Sequence, residues 1–384
     1  MKLRLIIAYY VCCGVLLFSA CKKTATPASD LHTDNSTAAA KGPVSRILIN
    51  THGIGGYDFA DGLDMGFPFD YNSTGKADHF FFYRPGEGLV QVTQHVNNAF
   101  TGIYATRQGI GNFDLRDIRN RIFPYDYNSS GKMDHLVIFG RMTGKICIVK
   151  NVNGSFVTVY TSPNGVDGFP ITYAGDEGTA FDYAGTGKKD HLLFYSPGRG
   201  DIRILKRTAN GFTTVYTSTT GIGGADLSRN QDRIVGFDYT GSGKADHLLI
   251  TRSIIGMAWI LKNVNGVFTP VFTSTHGIGG FDMVHMHDQI LPYDYNNSGK
   301  EDHLILYRPG AAYIFIVKNT NGTFSPVYSS GFGIGGYPLN SWKDVLFPYD
   351  YNSNGKANHI FLCRPGDGWA CILQNNSGTF TQVY

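Results

Sequence analysis

Glutamate is nearly missing from this chain: Glu87, Glu177 and Glu301 are the only three in 384 residues. None has an evident partner carboxylate. Gly-x-Ser-x-Gly, His-Glu-x-x-His and Cys-x-x-Cys are all absent, which removes the usual signatures of serine hydrolases, zinc proteases and dithiol redox enzymes. No apolar stripe of 3.6-residue period runs for a useful length, so helix content should be very low. Cysteine is sparse too: Cys12, Cys13 and Cys21 lie near the start, leaving Cys147, Cys363 and Cys371 in the body.

Excess positive charge is missing where it would count. Residues 1–46 hold six Lys/Arg and two Asp, which leaves 27 basic against 28 acidic residues downstream. A body so balanced carries no basic stripe, and nucleic acid is not the expected partner.

Lys2 and Arg4 precede an apolar run from Leu5 to Phe18, too short to span a bilayer and suited to a signal h-region. Ser19-Ala20-Cys21 follows. The segment resembles a bacterial lipoprotein signal over residues 1–20, which implies lipidation of Cys21; an ordinary secretory signal is the alternative. Residues 21–43 are poor in large apolar groups and read as a flexible linker. No second run long enough to span follows, so the membrane is met only through the lipid anchor, in the outer membrane or at the cell surface.

What the chain does have is repetition. Asp-Tyr-x-x-x-Gly-Lys-x-Asx-His recurs six times, from Asp70, Asp126, Asp182, Asp238, Asp294 and Asp350, always 56 residues apart. Gly-rich stretches from Gly53, Gly109, Gly165, Gly221, Gly277 and Gly333 keep the same beat. A fixed period of this size means one supersecondary unit repeated in space. In the second unit the strands read Arg121–Tyr125, His135–Phe139, Lys145–Lys150 and Phe156–Tyr160, with Asn153-Gly154 as a hairpin turn. The second and third strands are apolar on both faces, so neighbouring units must cover them. The expected fold is all-β: a six-bladed β-propeller over residues 44–384, expected to be a monomer, with a two-sheet solenoid as the competitor. At the ends, Phe380–Tyr384 should complete the last blade, with 44–50 beside it at the closure.

The repeated loop has two readings. Oxygen side chains at positions 1, 3, 5 and 9, with Gly at 6, can wrap a hard cation such as calcium. The full set is Asp70, Asn72, Thr74 and Asp78 in unit one; Asp126, Asn128, Ser130 and Asp134 in unit two; and Asp294, Asn296, Ser298 and Asp302 in unit five. Weaker sets are Asp182, Thr186 and Asp190; Asp238, Ser242 and Asp246; and Asp350, Asn352 and Asn354. Alternatively Lys at position 7, present in every unit, folds back on the carboxylates and braces an Asx-type turn with no metal. The histidine closing each loop should be half-buried and bonded to the next blade's backbone. The Asx six residues before each loop, from Asp64 to Asp344, should cap the connection into the first strand. Gly-Lys without a following Ser/Thr or helix is no phosphate loop, and the Gly-Ile-Gly-Gly stretches read as turns between blades.

On these loops and their strand setting the chain resembles the FG-GAP/VCBS class of propeller repeats found in integrin α-chain heads, over about residues 44–384. The resemblance implies a propeller and, often, calcium at the blade ends; it implies little about activity. Ligand contacts are expected where the units diverge: Arg84, Arg308 and Arg364, with the third-strand aromatics Trp259, Tyr313 and Trp369, could form a sugar-binding groove, ordinary core packing being the alternative. Cys363 and Cys371 flank one hairpin turn and are candidates for a disulfide. Three functions follow in order of preference: a non-enzymatic, tethered propeller that binds carbohydrate or another extracellular polymer; a protein-binding adhesion scaffold; and a propeller-fold glycan lyase or hydrolase.

Overall fold

Each 56-residue unit can bury only one face of its strands at a time, so the units must stack on one another. The computed structural model describes residues 50–384, and Cys21, the signal, the linker and residues 44–49 lie outside them. There are 24 strands in six four-stranded antiparallel sheets, and within each sheet spatial order equals chain order. Blade one comprises Met65–Phe69, His79–Arg84, Leu89–Val96 and Ala99–Thr106. Blade two, whose four strands the sequence places at 121–125, 135–139, 145–150 and 156–160, is Asn120–Tyr125, His135–Gly140, Ile146–Val152 and Ser155–Ser162. Among the described residues there is no helix.

The core sits between blades. Phe81 and Val92 of blade one pack with Leu136 and Val149 of blade two, while Phe80 and Phe82, on the other face, pack with Phe361 and Ile372 of blade six. Four further clusters fill the remaining interfaces. Six clusters for six blades close a ring, so the fold is a six-bladed β-propeller and the solenoid, which would leave two bare ends, is excluded. The first strands of successive blades, including the first and sixth, lie side by side around the axis. A bulge recurs at one place on the third strand, as at Val92/Thr93 and Ile148/Val149, and sharpens the blade twist.

The Gly-rich stretches are the turns between blades. Gly53 has φ +75°, and a Cβ there would stand 1.7 Å from the Tyr57 carbonyl oxygen. Only glycine permits the Ile54–Tyr57 bridge that folds the turn.

The ring closes through a composite strand. Thr379–Gln382 pairs with Trp369–Asn376, and Tyr384 continues it by bonding Ile372. Asn50 then takes the next place, exchanging hydrogen bonds with Ala370 at 3.3 and 2.9 Å. The C-terminal segment completes blade six as expected. Asn50 follows it in line, at the place its 56-residue offset assigns, rather than lying beside it.

The disulfide expectation is corrected. Cys363 is in register with Ala370, and Cys371 with Leu362. Being one residue out of register, the two thiols point to opposite faces, Cys363 into the sixth–first interface and Cys371 into the fifth–sixth. Both are free and buried, as is Cys147. Burial pushes the Cys371 thiol up to about 12.

Candidate functional site

At one end of the ring lie the six repeated loops. In each, the first Asp accepts main-chain N–H bonds on both carboxylate oxygens. Thr74 N and Gly75 N reach Asp70 at 2.8 and 2.7 Å, and Ser130 N and Gly131 N reach Asp126 at the same distances. Asp182, Asp238, Asp294 and Asp350 repeat the pattern. The hydroxyl at position 5 also points at that Asp in units one, two, four and five, as with Ser298 and Asp294.

The ninth Asp turns elsewhere. Asp134 accepts from His135 Nδ1 at 2.6 Å and from Lys150 Nζ at 2.9 Å. Burial pushes its carboxyl up, but hydrogen bonds from His135, Ser73 and Lys150 outweigh that and hold it below the usual range. Ser73 belongs to the preceding loop. Asp78 likewise bonds His79, and Ser353 of blade six. Asn72 Nδ2 lies 3.3 Å from His79 Nε2 rather than turning inward. The position-9 carboxylate therefore does not join the oxygens of positions 1 and 5 in its own loop, and among the described residues no His/Cys/Asp/Glu group has a metal-holding arrangement. The residues do not fit the single-loop calcium cage drawn from the sequence.

In three units the position-7 lysine reaches the preceding loop rather than its own. Lys132 Nζ donates to the Ser73 carbonyl at 2.7 Å, Lys300 to Gly241 at 2.7 Å and Lys356 to Asn297 at 2.9 Å. Each tie runs to position 4 of the preceding blade. The closing histidines are buried outright and bond the adjacent Asp or Asn, not the next blade's backbone. Each stacks on its loop tyrosine, as His79 on Tyr71 at 5.5 Å. A second set of ties was not read from the sequence: Asn151 Nδ2 donates to the Tyr71 carbonyl at 2.9 Å, with Asn263, Asn319 and Asn375 in the same role. This end of the molecule is a belt of inter-blade hydrogen bonds.

At the other end, the second–third-strand turns meet the blade connections. Arg84 donates Nε and Nη2 to Asp64 at 2.7 and 2.9 Å, and Nη2 to Asp58 at 2.5 Å. Arg308 holds Asp288 and Asp282 in the same way, and Arg364 holds Asp344 with Asn340. Arg252, with Asp232 and Asp226, makes a fourth clamp. Asp64 and its equivalents cap the connection as expected, accepting the main-chain N–H three residues earlier, and in blades one, four, five and six they also anchor an arginine. The aromatics expected to stack on sugar stack on these arginines: Arg364 lies 4.0 Å over Trp369, Arg252 5.5 Å over Trp259, and Arg308 5.8 Å over Tyr313. The six expected ligand residues sit in four separate blades and form no common groove.

The pattern fails in blade three. Asp176 is kept, but Ser196 stands where blades one, four, five and six have arginine (blade two has Gly140 opposite Asn120), and Pro170 where blade one has Asp58. Ser196 Oγ donates to Asp176 Oδ1 at 2.5 Å and Tyr173 N to Oδ2 at 2.9 Å. Burial pushes the Asp176 carboxyl up. The vacated volume is a cleft of about 170 Å3 lined by Tyr173, Asp176, Ser196, Arg199, Asp201, Arg203 and the Thr217–Thr219 edge. Arg199 lies 4.0 Å over the Tyr173 ring. The equivalent cleft in blade one, about 360 Å3, is lined by Tyr57, Asp58, Leu89, Gln91 and Arg107. Both open where the third strand carries Leu89/Gln91 or Asp201/Arg203; in blades four to six, aromatics occupy those positions. The divergent positions were legible in sequence, but the cavities lie where aromatics are absent. The missing arginine at 196 beside a retained Asp176 was the signal for Tyr173, Ser196 and Arg199.

No family model matches the chain, and no curated protein matches it. Solved structures do resemble it in outline. A functionally unknown protein from Desulfotomaculum acetoxidans is 11% identical with a TM-score of 0.47, covering 85% of this chain and 86% of that one. A candidate 6-phosphogluconolactonase from Bacteroides fragilis is 12% identical, TM-score 0.43, covering 83% and 82%. The periplasmic gluconolactonase of Pseudomonas aeruginosa is 11% identical, TM-score 0.40, covering 79% and 81%. Likeness at this level carries no argument about activity, and the class of protein rests on the six closed blades.

Proposed function

We propose that this propeller is a non-enzymatic carbohydrate-binding protein, and that the blade-three cleft holds the sugar. The observation that carries the reading is the cleft's make-up. A tyrosine face with a guanidinium over it lies beside a carboxylate, three consecutive hydroxyls and Arg203, in a volume of about 170 Å3. Sugars present CH faces to rings and hydroxyls to charged and hydroxylic partners. Against catalysis, Ser196 directs its proton at Asp176 and no histidine lines the cleft, so neither residue is a prepared nucleophile. Export, lipidation at Cys21, envelope anchoring and kinship with FG-GAP/VCBS repeats belong to this proposal on the strength of the sequence.

A protein-binding reading has its own support. The same end of the ring exposes Leu63, Ile118, Met142, Ile255, Met286 and Trp342. A glycan array separates the two. Tyr173→Ala and Arg199→Ala should each abolish binding to the glycans the native chain retains, with an unchanged melting temperature. An array silent for the native chain, or binding indifferent to both substitutions, overturns the carbohydrate reading.

A further inference from the structure

The first strands line the ring axis, and near their clamp-side ends one equivalent position per blade carries Met65, Arg121, Glu177, Arg233, Gln289 and Val345. Half of that ring is strongly charged. Arg121, Glu177 and Arg233 sit on consecutive blades, and Arg141, from the blade-two turn, reaches over to join them. Arg141 is only 8% exposed; it donates Nε to the Asp176 carbonyl at 2.5 Å and pairs through Nη2 with Glu177. Glu177 is thereby answered by one guanidinium, and two remain.

Those two are held in one geometry. Arg121 Nη1 donates to the carbonyls of Ile118 and Asn120 at 3.2 and 2.9 Å. Arg233 Nη1 donates to those of Asn230 and Asp232 at 2.8 and 2.9 Å. Main-chain carbonyls orient each fork without neutralising it. Burial, then Arg141, push the Arg121 guanidinium below its ordinary range, against an opposing pull from Tyr83 and Glu177. Behind them stands the buried Tyr195 hydroxyl, which accepts the Ile234 N–H at 3.2 Å and keeps its own proton to give. Tyr195 stands directly opposite Glu177 in the strand register.

Fixed guanidiniums with no carboxylate hydrogen-bonded to them, here half-buried Arg121 and exposed Arg233, gain when an oxyanion bridges them, because the planar fork matches two oxygens at once. We propose that this end of the ring axis binds a single oxyanion group — carboxylate, sulfate or phosphate — between Arg121 and Arg233, with Tyr195 as a neutral donor and the Arg141–Glu177 pair as its fixed wall. The site is separate from the blade-three cleft and does not depend on it.

The test is isothermal titration of the full chain with sodium sulfate, sodium phosphate and sodium glucuronate at constant ionic strength, with chloride and glucose as controls. Saturable binding of at least one oxyanion is expected, weakened at least tenfold by Arg121→Gln and by Arg233→Gln, and tightened several-fold by Glu177→Gln. Glucuronate binding at least tenfold tighter than sulfate and phosphate assigns the site to an acidic sugar; the reverse order assigns it to an inorganic anion. No saturable heat with any of the three, or affinities unchanged in Arg121→Gln and Arg233→Gln variants of native melting temperature, overturns the proposal. Tyr173→Ala should leave the oxyanion affinity as it was, which keeps this outcome distinct from failure of the cleft.

Discussion

Arg84 and Asp64 grip each other through two hydrogen bonds across a 20-residue separation, with the Asp64 side chain wholly buried. A buried carboxylate stripped of its partner is costly, whereas a matched neutral replacement is not. Arg84→Met should therefore destabilise by about 3–5 kcal/mol. Adding Asp64→Asn should recover most of that loss, as blade two already tolerates Asn120 opposite Gly140. Urea unfolding midpoints of the single and double variants decide it; a double variant no better than the single contradicts the clamp.

The loop turns should stand without metal. Asp126 uses both oxygens on N–H groups, and an amide in its place would set an NH2 against one of those donors. Asp126→Asn should cost about 1–3 kcal/mol, the usual range for a buried donor left unmet. Melting curves in EDTA and in millimolar calcium should superimpose. A fall of several degrees on chelation would restore the calcium cage.

How much of this was legible follows from what repeats. The 56-residue beat and the two-sided apolar strands announced six blades, because burial on both faces has few geometric solutions. Side-chain partners were not legible, since they lie in the next unit. Lys132 belongs to the Ser73 carbonyl 59 residues back, and Arg84 to an Asp read as a cap. The one-residue offset of Cys363 and Cys371 escaped for the same reason: only the strand register decides which face each thiol takes. The blade-three cleft is an absence, Ser196 for arginine, and its meaning appears only once the clamp in the other blades is seen.

Burial pushes the loop histidines His191, His303 and His359 down, and His359 in the sixth loop furthest. Its neighbour is Asn358, where the five other loops have Asp, and burial, reinforced by His95, pushes its imidazole down to about 4. Above pH about 6.5 the histidine is neutral in both states. Between about 6.5 and 4 the unfolded chain takes up a proton that the folded one refuses, so stability falls with pH through that window, by on the order of 3 kcal/mol in full. Asn358→Asp should supply the missing anion, raise the His359 pKa and flatten the profile. Unfolding free energies measured from pH 7.5 to 4.5 should show a shallower slope in that variant; an equal slope rejects the assignment.

Ring closure rests on Tyr384. Its hydroxyl accepts the Asn50 Nδ2 proton at 3.0 Å, its ring meets Phe100 of blade one edge-on at 5.0 Å, and its main chain pairs with Ile372. One residue thus joins the last blade, the first blade and the start of the ring. Removing a half-buried aromatic with its hydrogen bond should cost about 2–4 kcal/mol, near the lower part of the range for Tyr- or Phe-sized truncations. Because the loss falls at a seam, Tyr384→Ala should raise amide exchange first at Ala370 and Ile372 and leave Ile148 and Ile260, on the third strands of blades two and four, protected. A uniform rise across all blades would show that the ring opens as a whole and that the seam is no weaker than any other interface.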